Sequence, residues 1–208
     1  INQSVRKFSV GRNAQGVSGI RFGLGAIKSC GDKAIDSIIA QRRKGGPYKD
    51  IFDFCQRMDS EQVNKRVVES LILSGAMDCT GARRTQLMAV YESALDGAAK
   101  SRRSNVVGQM SLFGDGLLEE VKPTLPDIPE YNLRTMLSLE KNVTGLYISG
   151  HPLGDYSKAL SALDMNTARL TELLESPDHG LSFDGQRVRM GGMLTEVRQK
   201  ATKAGNLM

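Results

Sequence analysis

Apolar residues recur with a helical period through the first half of the chain, and that period predicts most of its elements. Over residues 1–20 the pattern alternates loosely, with Val5, Phe8 and Val10 set among Gly, Asn and Ser, which predicts a frayed, strand-like lead-in. From Ile20 to Lys100 the period becomes helical. Ala34, Ile35, Ile38 and Ile39 share one face, and Gly45-Gly46-Pro47 stops that helix sharply. A short helix over 51–58 would bury Ile51, Phe54, Cys55 and Met58. The next begins near Asn64, sets Val67, Val68, Leu71 and Ile72 on one side, and ends at Gly75. A fourth, over 85–99, would bury Leu87, Met88, Tyr91 and Leu95.

Periodicity disappears over 101–130, where Gly114, Gly116, Pro123, Pro126 and Pro129 predict a largely extended linker. Helices are expected near 131–141 and 155–163, on either side of the turn Gly150-His151-Pro152. After Pro177 the period switches to two, with Val188 and Met190 facing one way and Met193, Leu194 and Val197 continuing the strand. That strand runs into a hairpin turn at Lys203-Ala204-Gly205-Asn206. The expected fold is mainly α. A helical domain over 20–100 follows the lead-in of 1–19, then come the linker of 101–130, connecting helices over 131–180, and the first strands of a β domain over 181–208.

Composition narrows the function. A hydrophobic fraction of 40% and a charged fraction of 25% suit a soluble globular protein. No apolar run reaches the ~18–20 residues of a membrane span and no signal peptide opens the chain. Both ends read as cuts within a longer protein. Cys30, Cys55 and Cys79 lie far apart with no C-x-x-C, which predicts free thiols in a reducing cytoplasm and no zinc site. The net charge of +5 is unevenly spread: residues 1–110 hold 18 Lys/Arg against 10 Asp/Glu, and the remainder carries no basic excess. Such a surface attracts polyanions.

Two segments carry candidate chemistry. Gly25 to Ile38 reads as a helix-hairpin-helix unit, with Gly31 as the last hairpin glycine and Ile35 and Ile38 four and seven places beyond it. In such a unit, hairpin amides and a helix N-terminus converge on one phosphate, which positions DNA without reading its sequence; the same residues also fit a tight turn between helices that holds no ligand. The candidate DNA-binding residues are Lys28, Ser29, Cys30, Gly31, Asp32 and Lys33; Ser29 stands where the first hairpin glycine is usual. The second segment, Gln109-Met110-Ser111-Leu112-Phe113, sets adjacent large apolar residues between glycines, in the manner either of a peptide that enters a partner's pocket or of an apolar pair folded back on its own domain. Leu73 to Asp78 followed by Gly81-Ala82-Arg83-Arg84 reads as a solvated turn before a basic helix start. No nucleophile elbow, P-loop or carboxylate pair is present, and His151 and His179 sit in turns, so no catalytic residue and no metal site are assigned.

Three landmarks in order resemble the C-family replicative polymerases of bacteria, the DNA polymerase III alpha subunits. They are Ile20-Arg21-Phe22-Gly23-Leu24-Gly25-Ala26-Ile27-Lys28, Gln109-Met110-Ser111-Leu112-Phe113 and Gly145-Leu146-Tyr147-Ile148-Ser149-Gly150-His151-Pro152-Leu153. The resemblance implies that 1–19 ends the fingers region, that Gln109, Met110, Ser111, Leu112 and Phe113 bind the sliding clamp, and that 181–208 opens an OB-type β-barrel near single-stranded template. It implies duplex DNA and the clamp as partners, with other replisome subunits nearby. The family's Mg2+-binding aspartates would lie in a catalytic palm outside this chain, so the parent would be a DNA-directed DNA polymerase and these residues would need no cofactor. Two alternatives come from the residues alone: a free-standing helix-hairpin-helix scaffold for DNA binding or repair, and a protein-interaction module.

Overall fold

The computed structural model describes residues 1–12, 16–59, 61–106, 124–175 and 185–199, the side chains of 103–106 excepted. They are mainly helical, with seven α-helices and one two-stranded sheet among them. The chain divides into two units, Ile1–Ser149 and Gly150–Met208.

The first unit opens with an antiparallel ribbon of β1 (Ser9–Arg12) and β2 (Ser18–Arg21), in which Val10 opposes Ile20. A 3-10 turn, Leu24–Ala26, leads into α1 (Asp32–Gly45), and α2 (Ile51–Arg57) and α3 (Lys65–Leu73) follow. A second 3-10 turn, Asp78–Thr80, precedes the long α4 (Arg84–Val106), and α5 (Leu133–Thr144) closes the unit. Helices α2 and α3 both pack on α4, and α3 also meets α5. The apolar stripes anticipated from spacing form the core: Ile35, Ile38, Phe54, Cys55, Val68, Leu71, Ile72 and Leu87 are fully buried.

Local chemistry sets the helix ends. Asp50 accepts from the Asp53 amide at 2.8 Å, Asn64 from Val67 at 3.2 Å and Asn132 from Thr135 at 2.9 Å, each cap stabilising its helix by about 1 kcal/mol. At the end of α3, Gly75 takes φ 77° while the amides of Ala76 and Gly75 return to the carbonyls of Leu71 and Ile72. A Cβ there would strike the Arg84 guanidinium, so the position needs glycine twice over. Helix α4 outruns the expected 85–99, continuing to Val106.

The second unit holds a 3-10 turn, Gly154–Tyr156, then α6 (Ser157–Ser161) and α7 (Thr167–Glu175). His151 shapes the preceding turn: its Nδ1 accepts from the Leu153 amide at 3.1 Å and its carbonyl from Gly154 at 2.9 Å. The strand expected over 188–197 is not formed among the described residues. Only Met190 pairs, in an isolated parallel bridge with Met165, and Val188, Leu194 and Val197 stay exposed. A strand needs a neighbour for its ladder, and the turn expected at Lys203 to Asn206 lies outside the described residues. No described helix is long and apolar enough to cross a membrane.

Candidate nucleic-acid interface

The hairpin between the first 3-10 turn and α1 is built by backbone bonds. Ile27 donates to the Leu24 carbonyl at 3.2 Å, Cys30 to Ile27 at 3.2 Å and Gly31 to Ser29 at 3.2 Å. The Lys28 amide donates to Val143 in the last turn of α5 at 2.8 Å, which fixes the loop against a second helix. Ser29 sits at φ 64°, the one non-glycine residue with positive φ among the described residues. The glycine conformation of the motif is therefore kept without the glycine. A serine in that region costs on the order of 1 kcal/mol, which the surrounding bonds sustain.

These bonds also determine which amides are available to a ligand. Lys28, Cys30 and Gly31 spend theirs inside the protein. The first bond of α1 runs from the Ile35 amide to the Gly31 carbonyl, so the amides of Asp32, Lys33 and Ala34 have no acceptor within the helix. Gly31 at the N-cap offers no side chain, and the space where its Cβ would stand is open. The amides of the exposed Asp32 and Lys33 and of the buried Ala34 are thus left at the positive end of a 14-residue helix. Lys28 and Lys33 flank it, exposed and without an ion pair to any described residue. Asp32 and Asp36 would oppose an anion here, and Arg6 neutralises both, at 3.0 and 2.5 Å. Of the six candidate residues, Cys30 alone turns inward: burial pushes its thiol up to about 12. Its side chain therefore serves the core, whatever its backbone does.

The second hairpin, before α4, is closed to such a ligand. Glu130 accepts from the amides of Arg84 at 2.7 Å and Thr85 at 3.3 Å, and the Gln86 side chain accepts from Arg83 at 3.0 Å. A carboxylate of the protein itself therefore occupies the position an external anion would take. Arg83 pairs with Asp127 at 2.9 Å, and Gln86 donates to the Pro126 carbonyl at 2.8 Å, so residues 124–131 are fastened to the start of α4. Arg84 is buried and bridges Asp78 at 2.7 Å and Glu140 at 2.9 Å. The solvated basic turn expected here is instead a tertiary joint. Sequence reasoning missed Glu130 and Glu140, because a cap supplied from 46 residues away leaves no local pattern.

Residues 1–87 match the family model described as a helix-hairpin-helix motif. The DNA polymerase III subunit alpha of Vibrio cholerae is 35% identical over 207 residues, covering 99% of this chain and 17% of the relative. The corresponding subunits of Haemophilus influenzae and Escherichia coli are 36% and 32% identical, again over 99% of this chain and 17% of each relative. By sequence, the chain is homologous to one part of the DNA polymerase III alpha subunits. It spans about a sixth of the length of those relatives. Of the alpha-subunit landmarks, residues 20–28 form the end of β2 and the entry to the hairpin. Residues 145–149 are the loop whose Ile148 and Ser149 amides donate to Glu140 at 2.8 and 2.9 Å. The segment Gln109 to Phe113 lies outside the described residues.

Proposed function

We propose that this chain is the duplex- and clamp-binding portion of a bacterial replicative DNA polymerase. The hairpin grips newly made duplex through the amides of Asp32, Lys33 and Ala34, with Lys28 and Lys33 adding diffuse attraction. The observation that carries this role is the contrast between two helix starts. That of α1 has no side-chain cap and is flanked by lysines that make no ion pair with any described residue, whereas that of α4 is filled by Glu130. Contacts confined to phosphate are indifferent to sequence, as a polymerase travelling along every sequence requires.

Gln109 to Phe113 serves as the clamp ligand, Leu112 and Phe113 filling an apolar pocket and Gln109 bonding at its rim. Support comes from the anchorage of the flanks. The described flanks of 107–123 are the C-terminal end of α4 and a segment fastened at its N-terminal end, about 35 Å apart along a 23-residue helix. A weak sliding grip joined to a peptide moored on a ring raises effective concentration, and processivity follows. The nucleotidyl transfer itself, with its Mg2+, belongs to the catalytic palm of the parent chain, which works in the cytoplasm. Residues 181–208 belong to a domain that approaches single-stranded template.

Titration with fluorescent duplex at several salt concentrations tests the grip. Lys28→Glu with Lys33→Glu is expected to weaken binding about tenfold or more on every sequence and to lower the salt slope by about 2. Affinity of the parent chain that ignores salt would rule out a phosphate contact.

A further inference from the structure

The β1–β2 ribbon carries more exposed apolar surface and more free charge than a structural lead-in requires. Residues 1–31 contain Arg6, Lys7, Arg12, Arg21 and Lys28 and no Asp or Glu. Arg6 is taken up by Asp32 and Asp36, while Lys7, Arg12 and Arg21 make no ion pair with any described residue. Val10 and Ile20 stand opposite each other in the ladder and are 81% and 82% exposed. Arg12 shares their face of the ribbon, since side chains alternate along a strand. On the other face the Arg21 guanidinium lies across Gly11, where a Cβ would approach it to 3.0 Å.

The ribbon is stitched to the phosphate hairpin. Leu24 and Gly25 donate to the carbonyls of Val5 and Arg6 at 2.9 and 3.0 Å, so the strands run on into the 3-10 turn. Gly23 lies so close to the opposing backbone that a Cβ would come within 2.6 Å of the Arg6 carbonyl. From Leu24 to Ser18 the chain covers roughly 20 Å at about 3.3 Å per residue. The far end of the described ribbon, at Ser18, therefore lies at most roughly that far from the 3-10 turn. No described strand pairs with either outer edge of this two-stranded sheet. An exposed Val-Ile pair among cations that make no ion pair with any described residue, with no acid near it in sequence, is complementary to a polyanion with apolar surface between its charges. DNA offers that combination in its phosphates and sugars.

Resting on the duplex-binding role proposed above, we infer that the β1–β2 ribbon is a second contact on the same duplex. It lies in the groove beside the phosphate held at α1, with Val10 and Ile20 against the groove wall and Lys7 and Arg12 on the flanking phosphates. A two-stranded ribbon fits the major groove, about 12 Å wide, and not the minor groove, about 6 Å wide.

The full chain is titrated with duplex and footprinted with hydroxyl radical, alongside two variants altered only at exposed positions: Lys7→Glu with Arg12→Glu, and Val10→Ser with Ile20→Ser. The parent should protect two patches on the duplex. Each variant is expected to lose one patch and about fivefold or more in affinity, and the charge reversal should lower the salt slope by about 2. Unchanged affinity and an intact footprint in both variants would overturn the ribbon contact. So would a Val10→Ser, Ile20→Ser chain that binds duplex normally but no longer self-associates in the ultracentrifuge. If Lys28→Glu with Lys33→Glu alone weakens binding, the ribbon contact falls and the hairpin grip stands. If the parent chain does not bind duplex, both fall.

Discussion

Glu140→Ala is expected to destabilise the first unit by about 3–5 kcal/mol, more than any other single side-chain truncation at its surface or joints. Glu140 is fully buried, and its carboxylate accepts from the Arg84 guanidinium at 2.9 Å, from the amides of Ile148 and Ser149, and from the Ser149 hydroxyl. Removing it strands Arg84, 3% exposed, with one carboxylate partner in Asp78. It also frees the loop of residues 145–149 from α5. Against a total stability of about 5–15 kcal/mol, such a loss lowers the melting temperature by about 10 °C or more, which circular dichroism at neutral pH measures directly. A melting point within two or three degrees of the parent, as an approximate margin, would show the network to be dispensable.

The same group gives the stability a pH dependence. Burial pushes the Glu140 carboxyl upward, but the bonds from Ser149, Ile148 and Arg84 together outweigh it and hold the group below its ordinary value. A depressed carboxyl stabilises the fold above its unfolded pKa, and that contribution disappears as pH falls through the folded value. The parent should therefore lose stability below about pH 5 more steeply than Glu140→Gln, which cannot ionise.

The second large effect concerns the clamp. Leu112→Ala with Phe113→Ala should abolish measurable binding to the sliding clamp in calorimetry while leaving duplex affinity unchanged. Burying the two side chains is worth roughly 1.5–3 kcal/mol each, so losing both corresponds to a fall of roughly a hundredfold or more. A double mutant that still binds the clamp undiminished would place the ligand elsewhere in the chain.

Much of this fold was legible because its helices are terminated by local chemistry. Asn64 before a Val-Val and Leu-Ile stripe, and Gly75 after it, mark α3 at both ends without tertiary information. The start of α4 had no such marker, since its cap, Glu130, arrives from beyond the expected linker. Arg83 and Arg84 looked like free cations for the same reason: their carboxylate partners include Asp127 and Glu140, far along the chain. Alternation at 188–197 predicted a strand that among the described residues finds only the Met165 bridge, because a period of two records which face a strand would bury, not whether a partner is present. Helix α7 sets Leu170, Leu173 and Leu174 at helical spacing, which would have announced it, yet it buries no residue. The hairpin itself was readable from Gly31, Ile35 and Ile38. Serine at position 29 disguised it, since the positive φ that defines the turn is set by the bonds around it and not by that residue type.

Amide resonances of the isotope-labelled chain, followed as duplex DNA is added, test the phosphate grip most directly. The amides of Asp32, Lys33 and Ala34 are expected to move together and to saturate with the binding curve, while those of Arg84 and Thr85, already held by Glu130, stay in place. Movement at the start of α4 with none at the start of α1 would contradict the account.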